Sequence, residues 1–526
     1  MSGYIEGKID TKQYSFLPTC YDEMISEDNP VRVFDAFVDS LDMTELNFKN
    51  ADRQKEKAGR PSYNPKDLLK LYIYGYFNGI RSSRKLAKEC ERNIEVFWLT
   101  NQLKPDFRTI SDFRKNNINN IKFVFKEFSI LCDSLDLIGK EIVAIDGSKF
   151  RANNGRKKNY TKGKIEKQIK YYEENITKYL EILDKEDIEE KDNKVNISKS
   201  ELNKKIEETI QRIKELQTIK EDIEDTGEIS ITDPDSRHMK SNNNGTDISH
   251  NVQIAVDNKS HIVVAVDVTS SPADQGQLSN MGIKAKEELN VKELTVLADK
   301  GYWNGEELKK CEENNINTIV SSPEESGNIG YKKSDFKYNE KEDTYVCPAG
   351  KILNRTGDKN RIYANYKECK TCPYKDKCTK SKRGRRLSIN ENEEYLESAR
   401  KRQLENMDLY KRRQMIVEHV FGTIKRDLGY TYLLLRKNEK VKGESFMHFL
   451  IYNIKRVCNI KTVKEIIEAI MIKKAENSIK IFNNILCFSN FFEEQVAEDG
   501  NLYIFWLIFR QPAVPFGIKL TYINII

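Results

Sequence analysis

Three acidic residues occupy positions from which a carboxylate could do catalytic chemistry. Asp146 follows the apolar run 142–145, Asp299 follows the apolar run 294–298, and Glu418 lies in the helical pattern "QMIVEHVFGTIKR". Both runs are typical of short β-strands, which we expect to end at these acids. A half-buried carboxylate is costly unless it is paired, hydrogen-bonded or metal-bound. The alternative is that each acid is an ordinary turn or helix-cap residue.

Carboxylates that meet in a folded protein can hold hard cations. Mg²⁺ prefers oxygen ligands and keeps part of its water shell. Two such ions on shared carboxylates can activate water and stabilise the leaving oxygen of a phosphodiester. Because Asp146, Asp299 and Glu418 are far apart in the chain, only a tertiary fold could unite them.

Basic residues surround the acid on the helical pattern. Arg412 and Arg413 precede Glu418, while Lys425 and Arg426 follow it by about two helical turns. Such a helix suits a site where a metal ion and DNA phosphates meet. The alternative is a surface helix with ordinary intrahelical ion pairs.

Two further pairs of residues, one aromatic and one acidic, each have two interpretations. Tyr302 and Trp303 follow Asp299 and could stack on an unpaired base, or they could pack the strand–helix junction. Asp233 and Asp235 in "TDPDSR" could be turn caps or could line a DNA channel.

Four cysteines lie close together before the last helices. They are Cys347, Cys369, Cys372 and Cys378. Four thiolates can form a tetrahedral Zn²⁺ site, and one pair here has C-x₂-C spacing. Reduced thiols packed in a small subdomain and disulfides remain the alternatives. The basic flank "KDKCTKSKRGRRL" could contact phosphates or could be an exposed linker.

Helical patterns dominate the N-terminal part of the chain. "NPKDLLKLYIYGYFNGI" predicts a helix with Asn64 as its N-cap and Pro65 at its first position. Short helices joined by tight turns follow, and they carry the basic residues Arg84, Lys85, Arg108 and Arg114. This pattern suits a helix-turn-helix DNA-binding domain. The alternative is a helical bundle with solvated basic faces.

The middle of the chain must supply the strands that position the acids. Heptad-spaced apolar residues from Ile165 to Leu183, and again from Leu202 to Ile223, predict an antiparallel coiled-coil hairpin inserted into the strand-bearing region. Beyond it, "NVQIAVD" and "HIVVAVDVT" predict a β-hairpin, and strand and helix patterns then alternate. The expected fold class is therefore α/β with a mixed sheet.

These patterns predict a multidomain chain, since 526 residues fit two to four domains at roughly 150 residues each. The predicted parts are a helical DNA-binding domain 1–135, a catalytic core in segments 136–160, 229–335 and 391–475, a hairpin insertion 161–228, a Cys-rich insert 336–390 and an atypical tail 476–526.

Composition narrows the class of protein and its location. The net charge is only +6 although 32% of residues are charged, so local charge is more informative than the total. The start "MSGYIEGKID" has no apolar run, and no segment before the tail reaches about 18 uninterrupted apolar residues. We therefore expect a cytoplasmic protein with no membrane contact, whose cysteines are reduced thiols or metal ligands.

Three motifs together resemble the DDE transposases of bacterial insertion sequences. They are "VAIDGSKFRANN", "LTVLADKGYWNGEEL" and "YKRRQMIVEHVFGTIKRDLGY", and "GRPSYNPKDLLKLYIYGYFNGIRSSRKL" and "DPDSRHMKS" occur in matching order. The resemblance runs from about residue 5 to about residue 465 and is to the group with a helical N-terminal domain and a cysteine-bearing insert. It implies an RNase H-like core in which Asp146, Asp299 and Glu418 form a catalytic triad that binds Mg²⁺ or Mn²⁺.

The same resemblance assigns a signature of Tyr, Arg, Glu and Lys to the last motif. Here these residues would be Tyr410, Arg413, Glu418 and Lys425. In the common form of the signature the Arg lies four residues before the Glu, where this sequence has Gln414. Arg413 is one position earlier.

The resemblance implies a DNA transposase that would be associated with the nucleoid. It would bind the terminal inverted repeats of its element, cut a strand with Mg²⁺-activated water, and join the 3′-hydroxyl to target DNA. Its partners would be double-stranded DNA, from transposon ends and target, and further copies in a homodimer or higher multimer. The alternatives are a metal-dependent DNA nuclease without strand transfer and a non-catalytic DNA-binding remnant.

Overall fold

The computed structural model describes residues 20–51, 62–188, 199–223, 227–241, 245–323, 330–356 and 361–476. The chain divides into two compact units, 1–467 and 468–526. The described residues of the second unit, 468–476, are helical. The predicted atypical tail, 476–526, lies almost wholly outside the described residues.

The helices of the first unit are, in chain order, α1 (Val31–Ser40), α2 (Pro65–Phe77), α3 (Ser83–Arg92), α4 (Ile94–Leu99), α5 (Phe107–Asn117), α6 (Ile121–Ser134), α7 (Lys162–Ile188), α8 (Lys199–Asp222), α9 (Leu278–Leu289), α10 (Gly305–Glu313), α11 (Tyr366–Lys370), α12 (Lys375–Cys378), α13 (Glu393–Glu405), α14 (Met407–Gly422) and α15 (Asn438–Ile460). No helix among the described residues is both long enough and apolar enough to span a bilayer.

The strands are, in chain order, β1 (Ile142–Arg151), β2 (Asn159–Thr161), β3 (Glu228–Ser230), β4 (Arg237–Ser241), β5 (Gly245–Asp257), β6 (Val263–Thr269), β7 (Leu294–Ala298), β8 (Ile316–Val320), β9 (Lys337–Asn339), β10 (Thr344–Val346), β11 (Ile352–Arg355), β12 (Arg361–Ala364) and β13 (Arg386–Ile389). Together with the helices they confirm the mixed α/β class.

Helices α1 to α6 form the N-terminal part as predicted. The Asn64 side chain accepts a hydrogen bond from the Lys66 amide at 3.0 Å, with Pro65 at the first position of α2. Asp106 caps α5 in the same way through the amides of Arg108 and Thr109. Both caps satisfy N–H groups that have no partner within the helix.

The main sheet is mixed and places β1 at its centre. Strands β5 and β6 form the predicted antiparallel hairpin, and β5 also pairs antiparallel with β4 and β1. On its other side β1 pairs parallel with β7, which pairs parallel with β8. Helix α15 packs on β6 and α6, and α14 packs on β1.

Strand β1 is longer than the sequence predicted. We expected it to end at Asp146, but it continues to Arg151 because residues 147–151 pair with residues 249–253 of β5. Only its parallel pairing with β7 ends earlier, at Ala144. Asp146 therefore lies within the strand, just beyond the point where the parallel ladder stops.

Helices α7 and α8 leave the core beside the small β2–β3 pair. At their base Ile165 and Leu216 are buried with Tyr160 and Ile223. Farther out Ile210, which the heptad pattern placed in the seam, is 40% exposed. The coiled-coil character of the hairpin stays a prediction.

The Cys-rich insert contains an antiparallel sheet that the sequence did not predict. Strands β9 to β13 pair in the order β13-β12-β11-β10-β9. Its small core consists of Phe336, Leu353, Tyr363, Leu387 and Ile389.

The helical segment after the insert is interrupted at Asn406. Helix α13 ends at Glu405, Asn406 leaves the helical conformation, and α14 begins at Met407. A π-helical turn, Thr423–Asp427, continues α14 and carries Lys425.

Candidate carboxylate site

Asp146 and Asp299 reach neighbouring positions on adjacent strands. The parallel register pairs Ala144 of β1 with Leu297 of β7. Asp146 lies two residues after Ala144, and Asp299 lies two residues after Leu297. Adjacent strands are about 4.8 Å apart. The Asp299 carboxylate also caps the next turn by accepting the Gly301 amide at 2.8 Å. The predicted meeting of these two acids is therefore supported by backbone register.

The environment of Asp146 disfavours its ionised form. Burial is the main cause and raises the pKa of Asp146 to about 6, and the nearby carboxylates of Asp299 and Asp274 add to the effect. The Arg413 guanidinium and the Gly147 amide, which donates to Asp146 Oδ1 at 2.8 Å, partly oppose it. A cation at this position would stabilise the ionised carboxylate.

Glu418 lies on the exposed side of α14, where its Oε1 accepts a hydrogen bond from Gln414 Nε2 at 2.8 Å. The helix is anchored through the buried side chains of Ile416, Val417 and Val420. Within the described residues, no group of three or more His, Cys, Asp or Glu is arranged to hold a metal ion. The structure thus brings two of the three predicted acids together, and the role of Glu418 stays a prediction.

Two basic residues of α14 and its π turn face the site. Arg413 acts electrostatically on Asp146. Lys425 Nζ donates to Ser148 Oγ at 2.6 Å and to the Lys149 carbonyl at 2.9 Å. Burial, with the Lys149 ammonium, lowers the pKa of Lys425 to about 8. The helix is therefore bound to β1 at the acid-bearing segment.

The other two basic residues predicted on this helix, Arg412 and Arg426, are exposed. Their contact with phosphates stays a prediction.

Sequence reasoning missed a third acid at the site. Asp274 Oδ1 accepts hydrogen bonds from Lys149 Nζ at 2.9 Å, Asn251 Nδ2 at 2.7 Å and Gln253 Nε2 at 2.8 Å. Asn251 and Gln253 are fully buried. Their alternation with apolar residues in the segment "NVQIAV" of β5 was a visible signal, because side chains two apart share one face of a strand.

Tyr302 is buried, which favours the packing interpretation for this residue. It is fully shielded from solvent, and its hydroxyl donates to Gln253 Oε1. Trp303 is partly exposed, with the Arg400 guanidinium 5.8 Å from its ring centre. Base stacking by either residue stays a prediction.

Asp233 and Asp235 bind a distant segment of the chain, so their expected roles as turn caps or as a DNA-channel lining stay predictions. Asp233 Oδ1 accepts the Lys437 amide at 2.9 Å, and Asp235 Oδ2 accepts the Asn438 amide at 2.8 Å, at the start of α15. The buried His250 Nε2 lies 2.8 Å from Asp233 Oδ2.

The N-terminal basic residues divide into two groups. Arg84, Lys85 and Arg108 are exposed, and the guanidinium groups of Arg84 and Arg108 lie 5.1 and 5.8 Å from the ring centre of Phe107. Arg114 is instead partly buried and donates to the Arg81 carbonyl at 3.0 Å. The first group forms a basic surface around an aromatic ring, whereas Arg114 joins neighbouring elements.

All four cysteines of the insert line one small cavity of about 30 Å³. The structure shows no disulfide among these four cysteines. Burial raises the pKa of Cys378 and favours its protonated form. Because the four are not already arranged around a metal position, zinc binding stays a prediction.

Two family models match the sequence. "Transposase DDE domain" matches residues 346–458, which include Glu418, and "Transposase domain (DUF772)" matches residues 19–116. These matches confirm the resemblance to DDE-type insertion-sequence transposases. No curated protein matches the chain.

One solved structure is similar to the chain, the piggyBac transposase synaptic complex with hairpin DNA determined by cryo-EM. The alignment covers 86% of this chain and 81% of that one, at 9% identity and a TM-score of 0.26. A similarity this low supports no argument.

Proposed function

We propose that this chain, which its two family matches indicate is a DNA transposase, binds the terminal inverted repeats of an insertion sequence and catalyses metal-dependent strand cleavage and strand transfer. The main supporting observation is the placement of Asp146 within β1 and of Asp299 directly after β7, the parallel neighbour of β1, each two residues beyond a paired position. We also propose that the mixed sheet is an RNase H-like core, since two of its neighbouring strands position both acids.

The donor atoms at this site fit a divalent cation. Two carboxylates stand together, and hard ions such as Mg²⁺ or Mn²⁺ favour oxygen ligands. We propose Asp146, Asp299 and Glu418 as the residues that would hold it, although Glu418 is now hydrogen-bonded to Gln414. A bound divalent ion would supply an activated water and neutralise charge on the phosphodiester.

The chain's own cations would hold the DNA backbone near these acids. Arg413 is close enough to Asp146 to influence its ionisation, and a guanidinium can bind phosphate oxygens in a bidentate manner. Lys425 is fixed by Ser148 and the Lys149 carbonyl. Its proposed role is to keep positive charge beside the segment of β1 that bears Asp146.

The exposed surface of Arg84, Lys85, Phe107 and Arg108 supports DNA binding by the N-terminal helices. Arginine and lysine there can neutralise phosphates, and the ring of Phe107, 38% exposed, offers an apolar face. We propose that this surface holds the element ends while the core cuts them, and that two or more copies assemble on paired ends.

Cleavage and joining of a duplex that carries the element's flanking ends, with Mg²⁺, would test this function. We expect Asp146→Asn and Asp299→Asn to bind this DNA as wild type does. Their cleavage rate should fall by about 1,000-fold, since several kcal/mol of charge stabilisation is lost. Arg84→Ala/Arg108→Ala should instead weaken DNA binding and flatten its salt dependence.

Asp136→Asn is a matched control, since the Asp136 side chain is 88% exposed and forms an ion pair with Lys259. It should cut and join at the wild-type rate. Wild-type protein that cuts without joining would identify a nuclease, and one that binds without cutting would identify a remnant. Equal cutting by wild type and Asp146→Asn would remove Asp146 from the mechanism.

A further inference from the structure

We propose that Asp274 is a positioning residue of the carboxylate site: its Oδ1 atom gathers Lys149, Asn251 and Gln253 and thereby holds the segments that carry Asp146 and Asp299. This inference rests on the proposed function, because it assigns a role within the same site.

The position of Asp274 next to Asp146 follows from the packing of Gly147. A Cβ atom added to Gly147 would lie 2.5 Å from Asp274 Oδ1 and 2.1 Å from Gln253 Nε2. The Asp274 carboxylate and the Gln253 amide therefore press directly on the backbone of the residue that follows Asp146. This contact fixes β1 where its parallel ladder has already stopped.

The second acid is reached through a chain of hydrogen bonds. Gln253 donates through Nε2 to Asp274 and accepts through Oε1 from the Tyr302 hydroxyl. Tyr302 belongs to the turn that Asp299 caps, and its amide donates to the Asp299 carbonyl at 3.2 Å. One carboxylate thus connects the backbone at Gly147 with the turn after Asp299.

The charge of Asp274 also has a specific partner. Its contact with Lys149 Nζ at 2.9 Å joins two side chains that are 14% and 25% exposed. Without this carboxylate the Lys149 ammonium would lie uncompensated beside Lys425, whose pKa it already lowers. Buried charge and amide groups without partners are costly, so the network holds only while Asp274 accepts all three donors.

Asp274→Asn tests this role because it keeps the size of the side chain but removes its charge. A misplacement of reacting groups by about 1 Å can cost about 100-fold in rate, and we expect a loss of that size in single-turnover cleavage with DNA binding unchanged. Asp267→Asn is the matched control. Asp267 is the register partner of Gln253 on β6 and, like Asp274, forms ion pairs with lysine. The Asp267→Asn substitution should therefore lower stability without lowering the cleavage rate per folded molecule.

A second variant separates positioning from general loss of structure. Tyr302→Phe removes only the hydroxyl at the far end of the hydrogen-bond network that runs from Asp274 through Gln253. If Asp274 acts through Gln253 on this turn, the double variant should be no slower than the slower single variant, because coupled residues are not additive. The proposal would be overturned if the losses in cleavage rate of the two single variants multiplied in the double variant. It would also be overturned if Asp274→Asn and Asp267→Asn lost cleavage rate equally.

Hydrogen exchange gives a readout that does not need catalysis. In Asp274→Asn, amides in residues 146–149 and 299–303 should exchange about 10-fold faster than in wild type, while Asp267→Asn leaves these peptides unchanged. If wild type fails to cleave DNA, the proposed function fails but this measurement still decides the role of Asp274. Unchanged exchange in both segments would overturn it.

Discussion

Among single residues, Asp146 shows how this site balances burial against charge. Its carboxylate is buried beside two other acids, which raises the pKa of Asp146 to about 6, while Arg413 and the Gly147 amide favour the ionised form. The group is therefore near the midpoint of its titration at mildly acidic pH. Small changes in its surroundings should alter its protonation more than at an exposed aspartate.

Gly147 is the residue where this packing leaves no room for a side chain. Gly147→Ala would place a methyl group 2.1 Å from Gln253 Nε2 and 2.5 Å from Asp274 Oδ1, and the buried Gln253 amide and the partly buried Asp274 carboxylate would have to move. We expect a cleavage rate lower by about 100-fold and a loss of stability of about 1–3 kcal/mol from overpacking. Single-turnover cleavage and urea unfolding would measure the two effects.

Gly163→Ala is the control, because no atom lies within 4 Å of the added Cβ and the residue is in the first turn of α7. It should leave cleavage unchanged and leave stability unchanged or slightly higher. Wild-type cleavage by Gly147→Ala would show that the Gln253–Asp274 contact can shift freely.

Sequence alone could predict Asp146 and Asp299 but not Asp274. The first two follow apolar runs that are typical of strands, and the register of parallel neighbours then brings them together. Asp274 lies in the loop "SSPADQGQ", and its role depends on donors from β1 and β5. Contacts between side chains of different elements have no local pattern, so only the folded chain reveals them.

Among the elements, Asp267 ties the edge strand β6 to two helices. Its Oδ1 lies 2.8 Å from Lys442 Nζ of α15, and its Oδ2 contacts Lys284 Nζ and Asn280 Nδ2 of α9. Burial alone would raise the pKa of Asp267, but these hydrogen bonds outweigh it and lower the pKa to about 2. The three elements are thus linked through one ionised carboxylate.

Because of this link, the free energy of unfolding should depend on pH. A carboxyl group whose pKa is lower in the folded state stabilises above its unfolded pKa of about 4, and that stabilisation is lost as pH falls from about 4 toward about 2. Asp267→Asn should therefore cost about 2 kcal/mol at pH 7, and the difference from wild type should shrink below pH 4. Urea unfolding at several pH values would measure it.

Asp136→Asn is the control here as well, since its exposed pair with Lys259 should contribute nothing measurable. A difference between wild type and Asp267→Asn that stayed constant down to pH 3 would contradict the assigned pKa.

Elements marked by a residue pattern in their own segment could be predicted from the sequence. Elements whose extent depends on pairing with distant residues could not. The cap residues Asn64 and Asn304 marked the starts of α2 and α10, and β-branched runs marked the β5–β6 hairpin. The extension of β1 to Arg151 depends on pairing with the long β5. The short strands β9 to β13 have little apolar periodicity, because none of them places more than two side chains in the small core of the insert.

Across the first unit, the N-terminal helices and the core share buried polar groups. Glu444 of α15 is fully buried and accepts the amides of Leu434 and Leu435 at 2.9–3.0 Å. Arg81, from the α2–α3 connection, lies 3.8 Å from Glu444 and donates to the Tyr432 carbonyl at 2.7 Å. The predicted boundary near residue 135 therefore does not separate two independent charge networks.

Arg81→Met should show that these parts are stabilised together. Burial raises the pKa of Glu444 despite the opposing backbone amides and Arg81, so removing the guanidinium leaves a buried acid with less compensation. We expect a loss of about 3 kcal/mol in the free energy of unfolding, measured by urea unfolding. Adding Glu444→Gln should recover part of this loss, because the buried charge of Glu444 is then removed.

Arg92→Met, at a residue whose side chain is 70% exposed, is the control and should have little effect. A loss in Arg81→Met no larger than in Arg92→Met would mean that the N-terminal helices and the core do not depend on this buried pair.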